Sequence, residues 1–222
     1  MIEIEELKNG IRADKDYLKN IKLMVFDMDG VLLKNRNSWD IIIHRSMKKI
    51  YLANEMKYTF DYLWHNGLPD NIFEELTETK IKTYLNLNDL SFNVLRTMEY
   101  LKNRKIKTAI VSAGSQVFAG YLSELLGIDY YTGNEVDVKN HNFIKNVDPA
   151  TKDLNVKKIQ ERYGISQSET VSVGDSYMDL SMKKRSKYFV AFNPSSSRLI
   201  EPSDFFVEFT DLYGIIENMV RH

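Results

Sequence analysis

Residues 22–31 read Lys22-Leu-Met-Val-Phe-Asp-Met-Asp-Gly-Val31. A short continuous apolar run that stops abruptly at acidic residues and a glycine is the pattern of a buried strand running into a loop. The same ending recurs downstream. Lys107-Thr-Ala-Ile-Val111 runs into Ser112-Ala-Gly114, Thr170-Val-Ser-Val173 into Gly174-Asp175, and Lys187-Tyr-Phe-Val-Ala-Phe192 into Asn193-Pro194, while Phe205-Phe-Val207 offers a last strand. An open parallel sheet puts its ligand site at such strand ends. Helical stripes lie between the runs. Val117, Phe118, Tyr121, Leu122, Leu125 and Leu126 share one face and stop at Gly127, and Lys152–Tyr163 stops at Gly164. The alternation predicts an α/β chain with a Rossmann-like, doubly wound, mostly parallel sheet.

From Val31 to Lys107 the strand signal is missing. Trp39, Ile42, Ile43, Met47, Ile50 and Tyr51 are helically phased, as are Phe92, Leu95, Met98 and Leu101. Phe60, Leu63, Trp64, Phe73 and Leu76 suggest two more helices. A helical block of about 60 residues exceeds an ordinary crossover and predicts an inserted all-helical cap subdomain. The expected organisation is a leader over 1–20 with no assigned role, a core domain over 21–34 and 101–222, and the cap over 35–100.

The 222 residues are enough to bury a core without disulfide or metal staples, and 43% apolar with 27% charged residues is an ordinary globular composition. A net charge of −1 gives no global field for a phosphate backbone, so nucleic acid is not an expected partner. The absence of cysteine excludes a thiolate metal site and a cysteine nucleophile. The longest apolar run, Tyr188–Phe192, is five residues, and the first residues carry acids where a secretory signal carries bases. The chain is expected to be cytoplasmic, with no membrane partner.

Asp27 and Asp29, at the end of the first strand, can turn into one cleft where the strand breaks, one carboxylate attacking and the other handling protons. By itself the pair reads as readily as helix capping. Three other places weigh against that reading. Ser112 and the backbone at Ala113 offer a hydroxyl and N–H groups to an anion at a helix start. Lys152 opens a helix and supplies a fixed positive charge. Asp175 and Asp179, in Gly174-Asp-Ser-Tyr-Met-Asp179, follow another strand, and a cluster of Asp27, Asp175 and Asp179 calls for a hard cation such as Mg²⁺.

DMDGV at 27–31, VSAG at 111–114, Lys152 and GDSYMD at 174–179 occur in an order that resembles the haloacid dehalogenase superfamily, most closely its phosphoserine phosphatase-like branch. The step of 23 residues from Lys152 to Asp175, and the segments Leu126–Tyr130 and Ser203–Glu208, are similar to that branch too. The resemblance implies an Mg²⁺-dependent phosphatase acting on a small phosphorylated metabolite. Asp27 would become the aspartyl-phosphate, and Asp29 would protonate the leaving alcohol and then deprotonate water. Ser112, Ala113 and Lys152 would hold the phosphoryl oxygens. Asp27, the Asp29 carbonyl and Asp175 would ligate the metal, supported by Asp179.

Two positions depart from that branch: Met178 stands where an asparagine is usual, and Arg36 where a glutamate reads the substrate ammonium. Six basic residues between Lys34 and Lys57 against Asp40 and Glu55 leave that stretch at +4. Weaker selectivity for phosphoserine is therefore expected. The competing reading is a phosphomutase of the same superfamily acting on a sugar phosphate. A phospho-acceptor receiver is disfavoured because there the lysine comes after the acids, and a dehalogenase has no need of Asp29.

Overall fold

The computed structural model of the chain describes residues 15–47, 77–140 and 142–221. In chain order these form β1 (Lys15–Asp16), β2 (Leu23–Phe26), α1 (Ser38–Met47), α2 (Glu78–Lys82), α3 (Val94–Asn103), β3 (Lys107–Ser115), α4 (Gln116–Leu126), β4 (Tyr130–Asp137), β5 (Asn142–Ile144), α5 (Lys152–Tyr163), β6 (Thr170–Gly174), β7 (Tyr188–Phe192), β8 (Phe205–Val207), α6 (Gly214–Met219) and β9 (Val220–Arg221). Short 3₁₀ turns, including Leu87–Asp89 and Tyr177–Arg185, link several of them.

Seven strands form one sheet in the order β5-β4-β3-β2-β6-β7-β8, parallel except for β5 against β4. The expected mostly parallel α/β sheet is thus present. β2 lies at its centre, and alternate residues feed two cores. Met24 and Phe26 join Ile110, Phe118, Leu122, Val173 and Leu212 on one side, while Leu23 and Val25 join Ala109, Val156, Ile159 and Phe189 on the other. A strand covered on both faces has no polar alternation, which is why Leu23–Phe26 reads as continuous apolar sequence. The chain leaves β2 for β3 on one side and returns to β6 on the other. That reversal opens a crevice beyond the carboxyl ends of β2, β3 and β6.

The helices α4 and α5 match their stripes. Both end on left-handed glycines, Gly127 at φ 67° and Gly164 at φ 63°, the conformation a helix C-cap favours. α3 buries Val94, Thr97, Met98 and Leu101, but Leu95 and Phe92 are exposed, so the expected stripe turns by part of a helical face.

β4 and β5 were not expected from the sequence. Tyr-Tyr-Thr-Gly-Asn-Glu-Val-Asp is a half-exposed strand near the sheet edge and lacks a continuous apolar run. β3 also runs past Val111 to Ser115, its pairing with β4 shifting register between the two. Within the expected leader, Lys15–Asp16 pairs with Val220–Arg221, and Leu18 is buried in the core. The expected cap limit at 100 falls inside α3, which packs on β3.

The excursion between β2 and α3 leaves and returns through a paired neck. Leu33 bridges Leu90, Lys34 N–H donates to Asp89 O at 2.8 Å, and Ser91 N–H donates to Leu32 O at 2.9 Å. α1 then lies on the core, with Trp39, Ile41 and Ile42 buried in it and the Trp39 ring edge-on to Phe143. Ile50, Tyr51, Phe60, Leu63, Trp64, Phe73 and Leu76 lie outside the described residues.

Candidate active site

The expected site residues converge on the crevice. Asp27 follows β2, Ser112 and Ala113 lie near the end of β3, Lys152 opens α5, and Asp175 follows β6. A cavity of about 250 Å³ is lined by Asp27, Asp29, Arg36, Ser112, Lys152 and Asp175, with Ala113 and Met178 also on its wall. A larger groove of about 560 Å³ lies along β8 and α6, away from these groups.

Lys152 is the centre of charge. Only 3% exposed, its Nζ lies 3.0 Å from Asp27 Oδ1 and 2.6 Å from Asp179 Oδ1. Burial alone would lower its pKa, but Asp179 and Asp27 hold it above the ordinary lysine value, so it stays charged. Asp27 Oδ1 also accepts from Met28 N–H at 2.7 Å. Both oxygens of Asp179 are committed. Oδ1 takes Lys152, and Oδ2 accepts from the N–H groups of Asp175 and Ser176 and from Ser176 Oγ. Asp179 therefore braces the turn after β6 and the lysine together.

Asp175 is held from behind by Ser195, whose N–H and Oγ–H both reach its carbonyl. Its carboxylate accepts from Arg36 Nη1 at 2.7 Å, while Arg36 Nη2 donates to Asn193 O at 2.7 Å. Gly30, at φ +75°, lets the two loops close on each other: a Cβ there would stand 2.3 Å from Asp175 Oδ2. Asp29 sits on the other wall, half-buried, with Oδ2 accepting from Ser38 Oγ at 2.9 Å and Oδ1 out of solvent with no hydrogen-bond partner among the described residues. The Ser112 hydroxyl accepts from Gly114 N–H at 3.1 Å, and the Ala113 carbonyl is fixed by Asn134 Nδ2 and Trp39 Nε1.

Crowded carboxylates in a poorly solvated crevice resist ionisation. Asp27 is raised well above the usual range by burial and then by Asp179, against the pull of Lys152. Asp175 is pushed up to about 7 by burial and Asp179, with Arg36 and Lys152 opposing. Asp29 is raised to about 6 by burial, with Ser38 opposing.

This sets a pH dependence. Between about pH 4 and pH 7 the folded, metal-free protein holds protons on Asp29 and Asp175 that the unfolded chain has released, so stability falls as pH rises through that window. Glu169, pulled down to about 2 by Lys22, acts below it. Urea midpoints in chelator are expected to drop from pH 4.5 to pH 7.5; a rise would contradict the reading.

A divalent cation fits this set of donors. Asp27, Asp175 and Asp179 each bring one carboxylate oxygen within 4.8 Å of the others. Arg36 already supplies a positive charge to Asp175. Hard oxygen donors of excess negative charge suit a hard cation.

A sheet of this order with an acid–lysine cluster at its switch point defines a class of phosphoryl-transfer hydrolase. A family model for haloacid dehalogenase-like hydrolases matches residues 21–186, and the chain belongs to that family, in its phosphoserine phosphatase-like branch. The chain is 29% identical to the phosphoserine phosphatase of Methanocaldococcus jannaschii over 209 residues, covering 90% of this chain and 98% of that one. It is 28% identical to the phosphoserine phosphatase of Archaeoglobus fulgidus over 78% of this chain, spanning 52% of the relative. Among solved structures, a phospho-aspartyl intermediate analogue of phosphoserine phosphatase superposes with a TM-score of 0.68 at 27% identity, over 89% of this chain and 98% of that one. These likenesses favour a phosphoric monoester hydrolase over the phosphomutase.

Ser38, Asn134 and Ser195 were not anticipated. Ser38 carries no signal beyond that of a polar residue opening a helix, and the pairing of Arg36 with Asp175 spans 139 residues.

Proposed function

We propose that the chain hydrolyses a small phosphomonoester through an aspartyl-phosphate on Asp27, with Mg²⁺ as its metal and the cytoplasm as its location. The observation that carries this reading is Lys152 bridging Asp27 and Asp179 beside Asp175, with Asp29 across the cavity. An Asp27 carboxylate oxygen attacks phosphorus as the bond to the leaving oxygen breaks, and Asp29 gives that oxygen its proton. Water then attacks phosphorus, Asp29 takes back a proton, and the acyl phosphate bond breaks to release phosphate. Ser112, the backbone at Ala113 and Lys152 hold the phosphoryl oxygens. Mg²⁺, bound by Asp27, Asp175 and the Asp29 carbonyl with Asp179 in support, would neutralise developing negative charge. Adding Mg²⁺ to the chelated protein at pH 7.5 is expected to raise its urea midpoint.

Arg36 bears on the substrate. Its guanidinium lines the cavity, paired with Asp175, and a substrate ammonium would meet like charge there. The proposed substrates are phosphomonoesters neutral or anionic at the end away from phosphorus. The test is phosphate release from a panel including L-phosphoserine and an acidic monoester of similar size, in the parent and Arg36→Glu. The parent is expected to favour the acidic ester and the variant to shift toward phosphoserine. A parent preference for phosphoserine above about a hundredfold, near 2.7 kcal/mol, would overturn the substrate class.

A further inference from the structure

We infer that Ser38 is a positioning residue for the proton-transfer step, fixing the orientation of the Asp29 carboxyl through Oδ2. The inference rests on the reading of Asp29 as acid and base.

Ser38 is the first residue of α1 and is completely buried. Its hydroxyl has one hydrogen and two lone pairs. Ser115 N–H points at Ser38 Oγ from 3.3 Å, occupying a lone pair, and Asp29 Oδ2 lies 2.9 Å from the same oxygen. With a donor already on one side, the hydroxyl hydrogen turns to the carboxylate. The relay therefore has one sense: Ser115 N–H to Ser38 O–H to Asp29 Oδ2.

Burial leaves this carboxyl few other anchors: among the described residues Asp29 Oδ1 is out of solvent with no hydrogen-bond partner, so the Ser38 hydroxyl on Oδ2 is the side-chain contact that sets its orientation. The contact is closely packed as well. A Cβ on Gly114 would fall 2.4 Å from Ser38 Oγ and 2.6 Å from Asp29 Oδ2, so the glycine leaves space for this pair and for little else. Ser38 is carried by α1, which packs on β3, with Trp39 Nε1 fastening that helix to the Ala113 carbonyl at 3.3 Å. The acid is thus oriented by an element other than the strand that bears it.

The test compares an alkyl phosphate, whose leaving alkoxide needs a proton, with an aryl phosphate, whose phenolate needs it much less. Ser38→Ala is expected to lower kcat/KM for the alkyl ester by about 10- to 100-fold, within the range general acid catalysis supplies, and for the aryl ester by less than about threefold, the loss falling on kcat rather than KM. Ser38→Cys, a weaker donor of similar size, is expected to fall between serine and alanine. In an Asp29→Asn background Ser38→Ala is expected to add almost nothing, since the two act as one unit. Equal losses on both esters, or a full further loss in the Asp29→Asn background, would overturn the positioning role. If Ser38→Ala does not fold, the cysteine variant decides by the same ratio. Failure of the underlying reading looks different: Asp29→Asn would itself not distinguish the two esters.

Discussion

Asp27→Asn is expected to abolish turnover, by about 10⁴-fold or more, while leaving the fold intact. Removing a nucleophile removes the covalent route altogether, and other groups in the site act only together with it. The substitution is benign for folding because of the charge around it. Asp27 shares a buried crevice with Asp179, Asp29 and Asp175, whose proximity together with burial makes its ionised form unfavourable. A neutral amide of the same shape relieves that repulsion. The metal-free variant should therefore unfold no earlier than its parent at pH 7.5. Phosphate release measures the first part, and intact mass of acid-quenched protein shows a phosphoryl group in the parent but none in the variant. A phosphoryl group trapped on a residue other than Asp27 would end the proposed route.

Lys152→Met is the second large effect, and it strikes stability and activity together. The ammonium is 3% exposed and bonds two carboxylates that are themselves buried. Taking away one partner of such a group leaves uncompensated charge in a poorly solvated place, which costs about 3–5 kcal/mol. The loss depends on pH in a definite direction. Without the lysine, Asp27, already raised by burial, holds its proton still more tightly in the folded chain than in the unfolded one, so the deficit shrinks as pH falls. Urea unfolding at pH 5 and pH 7.5 gives both values, and adding Asp179→Asn to Lys152→Met is expected to restore part of the stability at the higher pH. A deficit below about 1 kcal/mol at pH 7.5 would mean that solvent reaches the site and screens it.

The parts of the fold legible in sequence were those where burial erases polar alternation. Leu23–Phe26 and Tyr188–Phe192 are covered on both faces, so they stand out as apolar runs, and the acids after Leu23–Phe26 mark the crevice. β4 was hidden because Tyr130, Tyr131 and Glu135 keep contact with solvent, which breaks the run. The candidate site was legible where chemistry sits directly after a strand, as at Asp27 and Asp175, or opens a helix, as at Lys152. Ser38 was hidden for a different reason. It reaches Asp29 because α1 folds back onto β3, and a polar residue at a helix start looks the same whether it faces solvent or a carboxylate. Arg36 was marked as unusual for its position, but its partner could be seen only in three dimensions.

The paired neck at Leu32–Lys34 and Asp89–Ser91 bears on how such a molecule can diversify. Because the two ends of the excursion are already bonded to each other, the entropy of closing the loop is met at the neck and not at the carboxylates. Lengthening the chain beyond it adds only about 0.6 kcal/mol for each doubling. Changes of chain length beyond the neck and α1 can then be absorbed while the reacting groups keep their places.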